Sequence, residues 1–292
     1  MATQKIHFFT GKGGVGKSLL AASYAYALAN KTVSVTDVSP VLLAELTERS
    51  FYKNFLNLDH LGYKPVLAAD LAKNLSICQW STTECLKEYA LHLLKIQSLY
   101  KLFFENPVSK SLINVAPGLQ ELAILGKASS GARKHGPPMP FSEVVIDAFA
   151  SGHFMSLFRA PKAMSEVISF GPMGEQSRGI DRWLRNPEFC QVHVVALPEE
   201  LPVTETIELY QKLQNEFGIQ STVYLNKVLN LETADFESLS ESQKKYFSEI
   251  AENEIKSIDQ LNKAGIHFQK IPFIPETQSR KLIQLVAKEM FQ

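Results

Sequence analysis

Gly11-Lys12-Gly13-Gly14-Val15-Gly16-Lys17-Ser18 carries the clearest chemistry in this sequence. It fits G-x-x-x-x-G-K-[ST] in full. Glycines at these spacings let backbone N–H groups turn inward around phosphate oxygens, where side chains would obstruct them. The pattern sets Lys17 across the β- and γ-phosphates of a nucleotide and the Ser18 hydroxyl on Mg²⁺. The positive end of the helix that follows adds to the field. ATP and Mg²⁺ are therefore the expected ligands. Lys12 is a second cation in the same loop, and Lys17 leaves it no internal task. It reads either as pointing outward to a phosphate held by a second subunit or as a solvent-facing lysine.

Two carboxylates extend the site. Asp37 closes the β-branched run 33–36, and Asp147 closes the apolar run 141–146. At strand ends beside a phosphate loop, one carboxylate can hold metal-bound water while another orients the attacking water or accepts its proton. Each alone also reads as a helix N-cap. Catalysis is expected from Lys12, Lys17 and Asp37. Ser18, Asp37 and Asp147 are expected to serve Mg²⁺, the carboxylates through water.

The elements that must position these residues alternate along the chain. Strand-like runs at 5–10, 33–36, 75–79, 141–146, 192–197, 222–225 and 266–271 are separated by helical patterns at 18–29, 204–217 and 279–290. Ser81 to Glu84 looks like a capping box that opens a long helix to about residue 105, where Asn106-Pro107 ends it. Continuous apolar strands alternating with helices predict an α/β fold, doubly wound around a mostly parallel sheet, with ligands at the carboxyl ends of the strands. Residues 42–125 read as a mostly helical insertion within a single domain spanning 1–292. The Gly/Ser/Pro-rich stretch 127–140 reads as a mobile loop.

Composition sets the outer limits. The 292 residues hold 30 Lys+Arg against 30 Asp+Glu, so no basic excess points to nucleic acid. Apolar residues make up 45% and charged residues 21%, as in a protein with a large buried core. No apolar run approaches the roughly 18 residues that cross a bilayer, so any membrane contact is indirect. The first strand-like run starts too close to Met1 for a signal peptide. Cys78, Cys85 and Cys190 form no C-x-x-C pair, so no zinc is expected, and reduced thiols fit a cytoplasmic protein.

At these residues the chain resembles the ATPases of the arsenite-pump and tail-anchored-protein-targeting family, a branch of the deviant Walker A group. That group carries K-G-G-x-G-K-[ST], here Lys12 to Ser18. The resemblance implies that Lys12 crosses a dimer interface to the partner's nucleotide. Thr36-Asp37 resembles the start of the switch I motif T-D-P-A-H. Asp147-Ala148-Phe149-Ala150-Ser151-Gly152-His153 resembles switch II, D-T-A-P-T-G-H. Asn74-Leu75, Pro117 to Glu121, and Pro198-Glu199 with Glu205-Thr206 resemble further family segments. Asn226 matches the family's adenine-reading Asn, though it also reads as a plain strand-end residue. Pro272 opens a stretch similar to the late loop that packs on the base. The departures are as specific: switch I lacks its His, switch II lacks its Thr and first Pro, and there is no fused second unit.

The resemblance implies a Mg²⁺-dependent ATPase, dimeric with itself or a paralogue, whose nucleotide state gates an unknown protein client. The altered switches leave open a degenerate subunit that pairs with an active paralogue. A metabolic enzyme of the same group is the third reading. The apolar stripe Leu86, Tyr89, Leu93, Ile96, Tyr100, Phe103 and Phe104 reads as core packing against residues 112–125 or as a client groove. Residues 170–185, with Arg178, Arg182, Trp183 and Arg185, read as a solvated helix with one buried Trp or as a patch that touches a partner or a membrane.

Overall fold

Short apolar runs bounded by turn residues become strands covered on both faces, and the chain lays helices over them in turn. The protein is described here by a computed structural model covering residues 4–31, 39–94, 118–168, 170–229 and 240–291. In order, the elements are β1 (Lys5–Gly11), α1 (Lys17–Asn30), β2 (Val41–Glu45), α2 (Phe51–Phe55), β3 (Val66–Leu67), β4 (Leu75–Gln79) and α3 (Thr82–Leu94). Then come α4 (Leu119–Ala128), α5 (Ser130–Arg133), β5 (Glu143–Asp147), α6 (Ser151–Val167), α7 (Gly171–Leu184) and β6 (Cys190–Ala196). The chain closes with α8 (Glu200–Phe217), β7 (Thr222–Val228), α9 (Glu241–Lys263), β8 (Phe268–Pro272) and α10 (Ser279–Met290).

The strands form one sheet in the order β3-β4-β2-β5-β1-β6-β7-β8. Only the β3–β4 pairing is antiparallel. Successive side chains of a strand point to opposite faces, and the core divides accordingly. Ile6, Phe8, Leu42, Ala44, Val144 and Ile146 pack with Leu122, Phe154, Phe158 and Leu213 of α4, α6 and α8. Phe9, Val41, Leu43, Val145 and Val195 pack on the other face with Leu20, Ala21 and Ala25 of α1 and Ile283 and Val286 of α10. Each fully buried Leu or Phe contributes on the order of 1.5–3 kcal/mol. This is the doubly wound α/β arrangement expected from the alternating pattern. All three cysteines are buried and free, filling the core as small apolar side chains. Among the described residues no helix is long and apolar enough to cross a membrane.

Two expectations change, and a third, the run 33–36, lies outside the described residues. Among the described residues the first strand after α1 is Val41–Glu45. Residues 42–125, expected to be mostly helical, supply part of β2 and all of β3, besides β4, which is the strand expected at 75–79. A short apolar run such as Val41–Glu45 has no periodicity to separate a buried strand from a buried helix. The stretch 127–140 is tied down in part: α5 begins at Ser130, and Arg133 donates to Ser129 Oγ and to Gln176 Oε1, both at 2.7 Å. Of the apolar stripe, Leu86 and Tyr89 pack against Ala123 and Leu119 of α4, as core. Ile96, Tyr100, Phe103 and Phe104 lie outside the described residues. α7 is the helix expected at 170–185, with Trp183 buried.

One polar cluster sits inside the α1 face of the sheet. His7 Nδ1 lies 3.2 Å from His193 Nε2, and His7 Nε2 lies 3.1 Å from Glu143 Oε2. Phe9 stacks on His193 with ring centroids 4.5 Å apart, and Tyr24 packs beside it. His193 Nδ1 is buried without a partner among the described residues. Burial, then the neighbouring His7, holds the pKa of His193 well below its ordinary 6.5. The unfolded chain would take up a proton that the folded one refuses. Stability from this cluster is therefore fully present above pH 6.5 and is lost as pH falls below that value. The urea unfolding midpoint should drop between about pH 7.5 and about pH 5, and His193→Phe should flatten that drop.

Candidate active site

β1 ends at Gly11 and α1 begins at Lys17, which puts the connecting glycine loop at the carboxyl edge of the sheet. Gly14 and Gly16 have φ of +84° and +94°, in the left-handed region, and Gly11 has φ of +142°. Space is as restrictive as angle. A Cβ on Gly11 would stand 2.2 Å from the Val195 carbonyl oxygen of β6, and one on Gly16 2.3 Å from Asn226 Nδ2 of β7. The buried Asn226 donates to the Val15 carbonyl at 2.9 Å. The loop is thus moulded by two neighbouring strands. At its far end Gly16 offers α1 no capping side chain, and the first turn holds no acidic residue. The N–H groups at that helix end keep their positive field.

Lys17 curls back over the loop and donates to the Lys12 carbonyl at 2.9 Å. Burial lowers its pKa, and the charge of Asp147 opposes that shift. Asp147, the last residue of β5, is 2% exposed. Its Oδ2 accepts from the Tyr52 hydroxyl at 3.3 Å, and the Ser18 side chain is near enough to lower its pKa. Burial pushes its pKa up to about 6, against the pull of Ser18, Lys17 and Tyr52. Lys17, Ser18 and Asp147, expected from sequence to share a site, do come together.

Asp37 lies outside the described residues. The carboxylate that closes the strand after α1 is Glu45, the Cα partner of Asp147 in the β2–β5 register. It is fully buried, and burial, with Asp147 adding to it, raises its pKa. Sequence reasoning missed it, although its signal was the one that found Asp147: an apolar run, Val41 to Ala44, ending in an acid. Tyr52 was missed for a different reason, since nothing in sequence ties residue 52 to residue 147.

Lys12 does face away from the loop, but it meets an acid of its own chain. Its Nζ lies 3.0 Å from Glu205 Oε1 of α8, and Glu205 Oε2 accepts from Ser151 Oγ at 3.3 Å. Both side chains of the ion pair are about a third exposed, at 32% and 39%. Such a pair contributes roughly 0–1 kcal/mol and breaks easily.

Asn226 and Pro272, matched to the base by resemblance, part company. The amide nitrogen of Asn226 is engaged by the glycine loop. A bulge follows, with Lys227 at φ +59° and a register shift between Asn226 and Val228. It directs Lys227 into a cavity of about 600 Å³ at the carboxyl ends of β6 and β7, lined also by Leu197, Pro198, Tyr246 and Phe273. Pro272 ends β8 beside Phe273. The walls mix apolar and aromatic side chains with the polar Glu199, Asn253 and Glu254.

The sequence model for anion-transporting ATPases matches residues 4–171 and 169–261. The chain belongs to the anion-transporting ATPase family. It is similar to ATPase BagA of Mycobacterium tuberculosis, 26% identical over 249 residues that cover 82% of this chain and 70% of the relative. It is also similar to the ATPase ASNA1 homolog of Cryptosporidium parvum, 25% identical over 263 residues, 78% of this chain and 66% of the relative. The ATPase ASNA1 homolog of Entamoeba histolytica is 23% identical over 266 residues, covering 78% and 77%. The protein is therefore an ATPase that hydrolyses ATP.

In this ATPase the Asn226 contact is a structural prop for the loop. Asn226→Ala would leave the Val15 carbonyl buried without its donor, at a cost of about 1–3 kcal/mol. Urea unfolding should show that loss, and ATP affinity measured by calorimetry should fall with it.

Proposed function

We propose that this ATPase binds Mg²⁺–ATP on residues 11–18 and works as a dimer whose nucleotide state gates a protein client. The observation that carries the reading is the convergence of Lys17, Ser18 and Asp147 beside an uncapped helix end. Gly11, Gly13, Gly14, Val15 and Gly16 supply backbone N–H groups to the phosphates. Lys17 exchanges the Lys12 carbonyl for β- and γ-phosphate oxygens. The Ser18 hydroxyl and the Asp147 carboxylate are oxygen donors of the kind Mg²⁺ takes, and a buried, partly compensated carboxylate suits a cation. When bound, the ion supplies charge neutralisation on the phosphates. The cavity beside Pro272 and Phe273 takes the base, with Asn226 shaping the loop between base and phosphates. The reading places the protein in the cytoplasm.

Lys17→Ala removes a charge-assisted contact worth roughly 1.5–3 kcal/mol, so ATP affinity should fall at least about tenfold. Unchanged affinity in a folded variant, by calorimetry, refutes the phosphate site. Asp37 keeps the role implied by resemblance, orienting the attacking water. Asp37→Asn should slow turnover by a factor on the order of 10² while ATP binding persists. Turnover at the wild-type rate removes Asp37 from the mechanism.

The dimer reading turns on Lys12. In a dimer it gives up Glu205 for the γ-phosphate of the partner copy, and ADP offers it much less charge. Differential contact of this kind is what a switch requires. Mixing Lys12→Ala with Lys17→Ala subunits tests it. If Lys12 acts across the interface, the mixed dimer has one site free of both defects and recovers part of the activity. If activity stays at background, the shared site is wrong. The lost Thr and Pro of the switch II segment favour a second reading, pairing with an active paralogue. In that case the isolated chain turns over too slowly to measure until the paralogue is added.

A further inference from the structure

Tyr52 is fully buried, with 0% of its surface exposed, and its hydroxyl lies at the heart of the candidate site. Oη is 2.9 Å from the Ser18 carbonyl oxygen and 3.3 Å from Asp147 Oδ2. One phenolic hydrogen thus serves two acceptors: the Asp147 carboxylate assigned above to Mg²⁺ and the backbone carbonyl of Ser18, whose hydroxyl is assigned to the same ion. The Tyr52 hydroxyl is the hydrogen-bond donor to Asp147, and Ser18 lies close enough to influence the same carboxyl.

Behind Tyr52 stands Glu45. Its Oε2 accepts the backbone N–H of Phe51 at 3.0 Å and of Tyr52 at 3.5 Å, while Ser50 Oγ accepts from Lys53 N at 3.0 Å. These contacts fix the start of α2, a helix of only five residues with little stability of its own. Glu45 Oε1 is buried with no partner among the described residues. A fully buried carboxylate is a costly way to hold one turn of helix, because it surrenders its hydration. The cost has a purpose if that turn must hold a side chain in register with the strand-end acid directly opposite, Asp147. A core filler would need only the ring, and phenylalanine would serve. The two acceptors converging on Oη need the hydroxyl.

We propose that Tyr52, braced from behind by Glu45, is a positioning residue for Asp147 and through it for the metal ion in ATP hydrolysis. The inference rests on the reading that Asp147 serves Mg²⁺. Groups that orient metal-site carboxylates typically alter metal affinity or activity by about 10–100-fold when removed.

Tyr52→Phe keeps the ring and removes the contact. In the presence of ADP, Mn²⁺ affinity by electron paramagnetic resonance should fall about tenfold, and kcat should fall similarly with KM for ATP within about twofold. Urea unfolding confirms that the variant is folded. Glu45→Gln, which keeps an acceptor for the N–H groups of α2, should retain most of the activity, whereas Glu45→Leu should reproduce the Tyr52→Phe defect. Wild-type Mn²⁺ affinity and kcat in Tyr52→Phe overturn the proposal. So does a Glu45→Gln variant as impaired as Glu45→Leu, since Glu45 would then act through its charge. Asp147→Asn separates the two layers. If it weakens Mn²⁺ binding while Tyr52→Phe does not, only the positioning role fails. If it leaves Mn²⁺ binding intact, the metal reading and the role built on it fall together.

Discussion

The turn from β1 into α1 is squeezed between a carbonyl of β6 and a carboxamide of β7, with no room for a methyl group at either end. Most of the molecule can be seen as the means of holding that squeeze. β1 pairs with β6 through Gly11 itself, and β7 enters the same edge one strand further on. The loop conformation is therefore specified by tertiary contacts as much as by its glycines. Substituting a side chain at Gly11 or Gly16 would meet both a strained backbone angle and an occupied space.

Around this loop the charges are arranged in an order that their burial makes consequential. The cation Lys17 and the anion Asp147 moderate each other, and each is shifted by burial in the direction of neutrality. Glu45 adds a second acid on the neighbouring strand, with no ion pair to a cation among the described residues. Water would weaken each of these interactions, and the apolar layers on both sides of the sheet exclude it. Lys12 and Glu205 form the contrasting case, a pair at the surface that solvent can dissolve.

Much of this was legible in the chain. The glycine signature gave the loop, the cation and the hydroxyl, because each depends on spacing over eight consecutive residues. Asp147 followed from the rule that apolar strands deliver their last residue to the ligand edge. The same rule applied to Glu45, but Leu42 to Ala44 were counted with the mostly helical stretch 42–125, so the strand that ends at Glu45 was not read. Tyr52 and the Lys12–Glu205 pair depend on contacts between residues 34 or more positions apart, which no local pattern encodes. Asn226 was read as a strand-end residue, whereas β7 runs on to Val228, and its partner, Val15, is 211 residues away.

The two margins of the sheet show a further economy. Among the described residues, β3 at one end pairs over only two residues, and β8 at the other finishes in Pro272, which has no N–H to offer. Neither margin presents a long row of free donors and acceptors on which a strand from another molecule could add. The sheet is closed to lateral growth into larger β-assemblies.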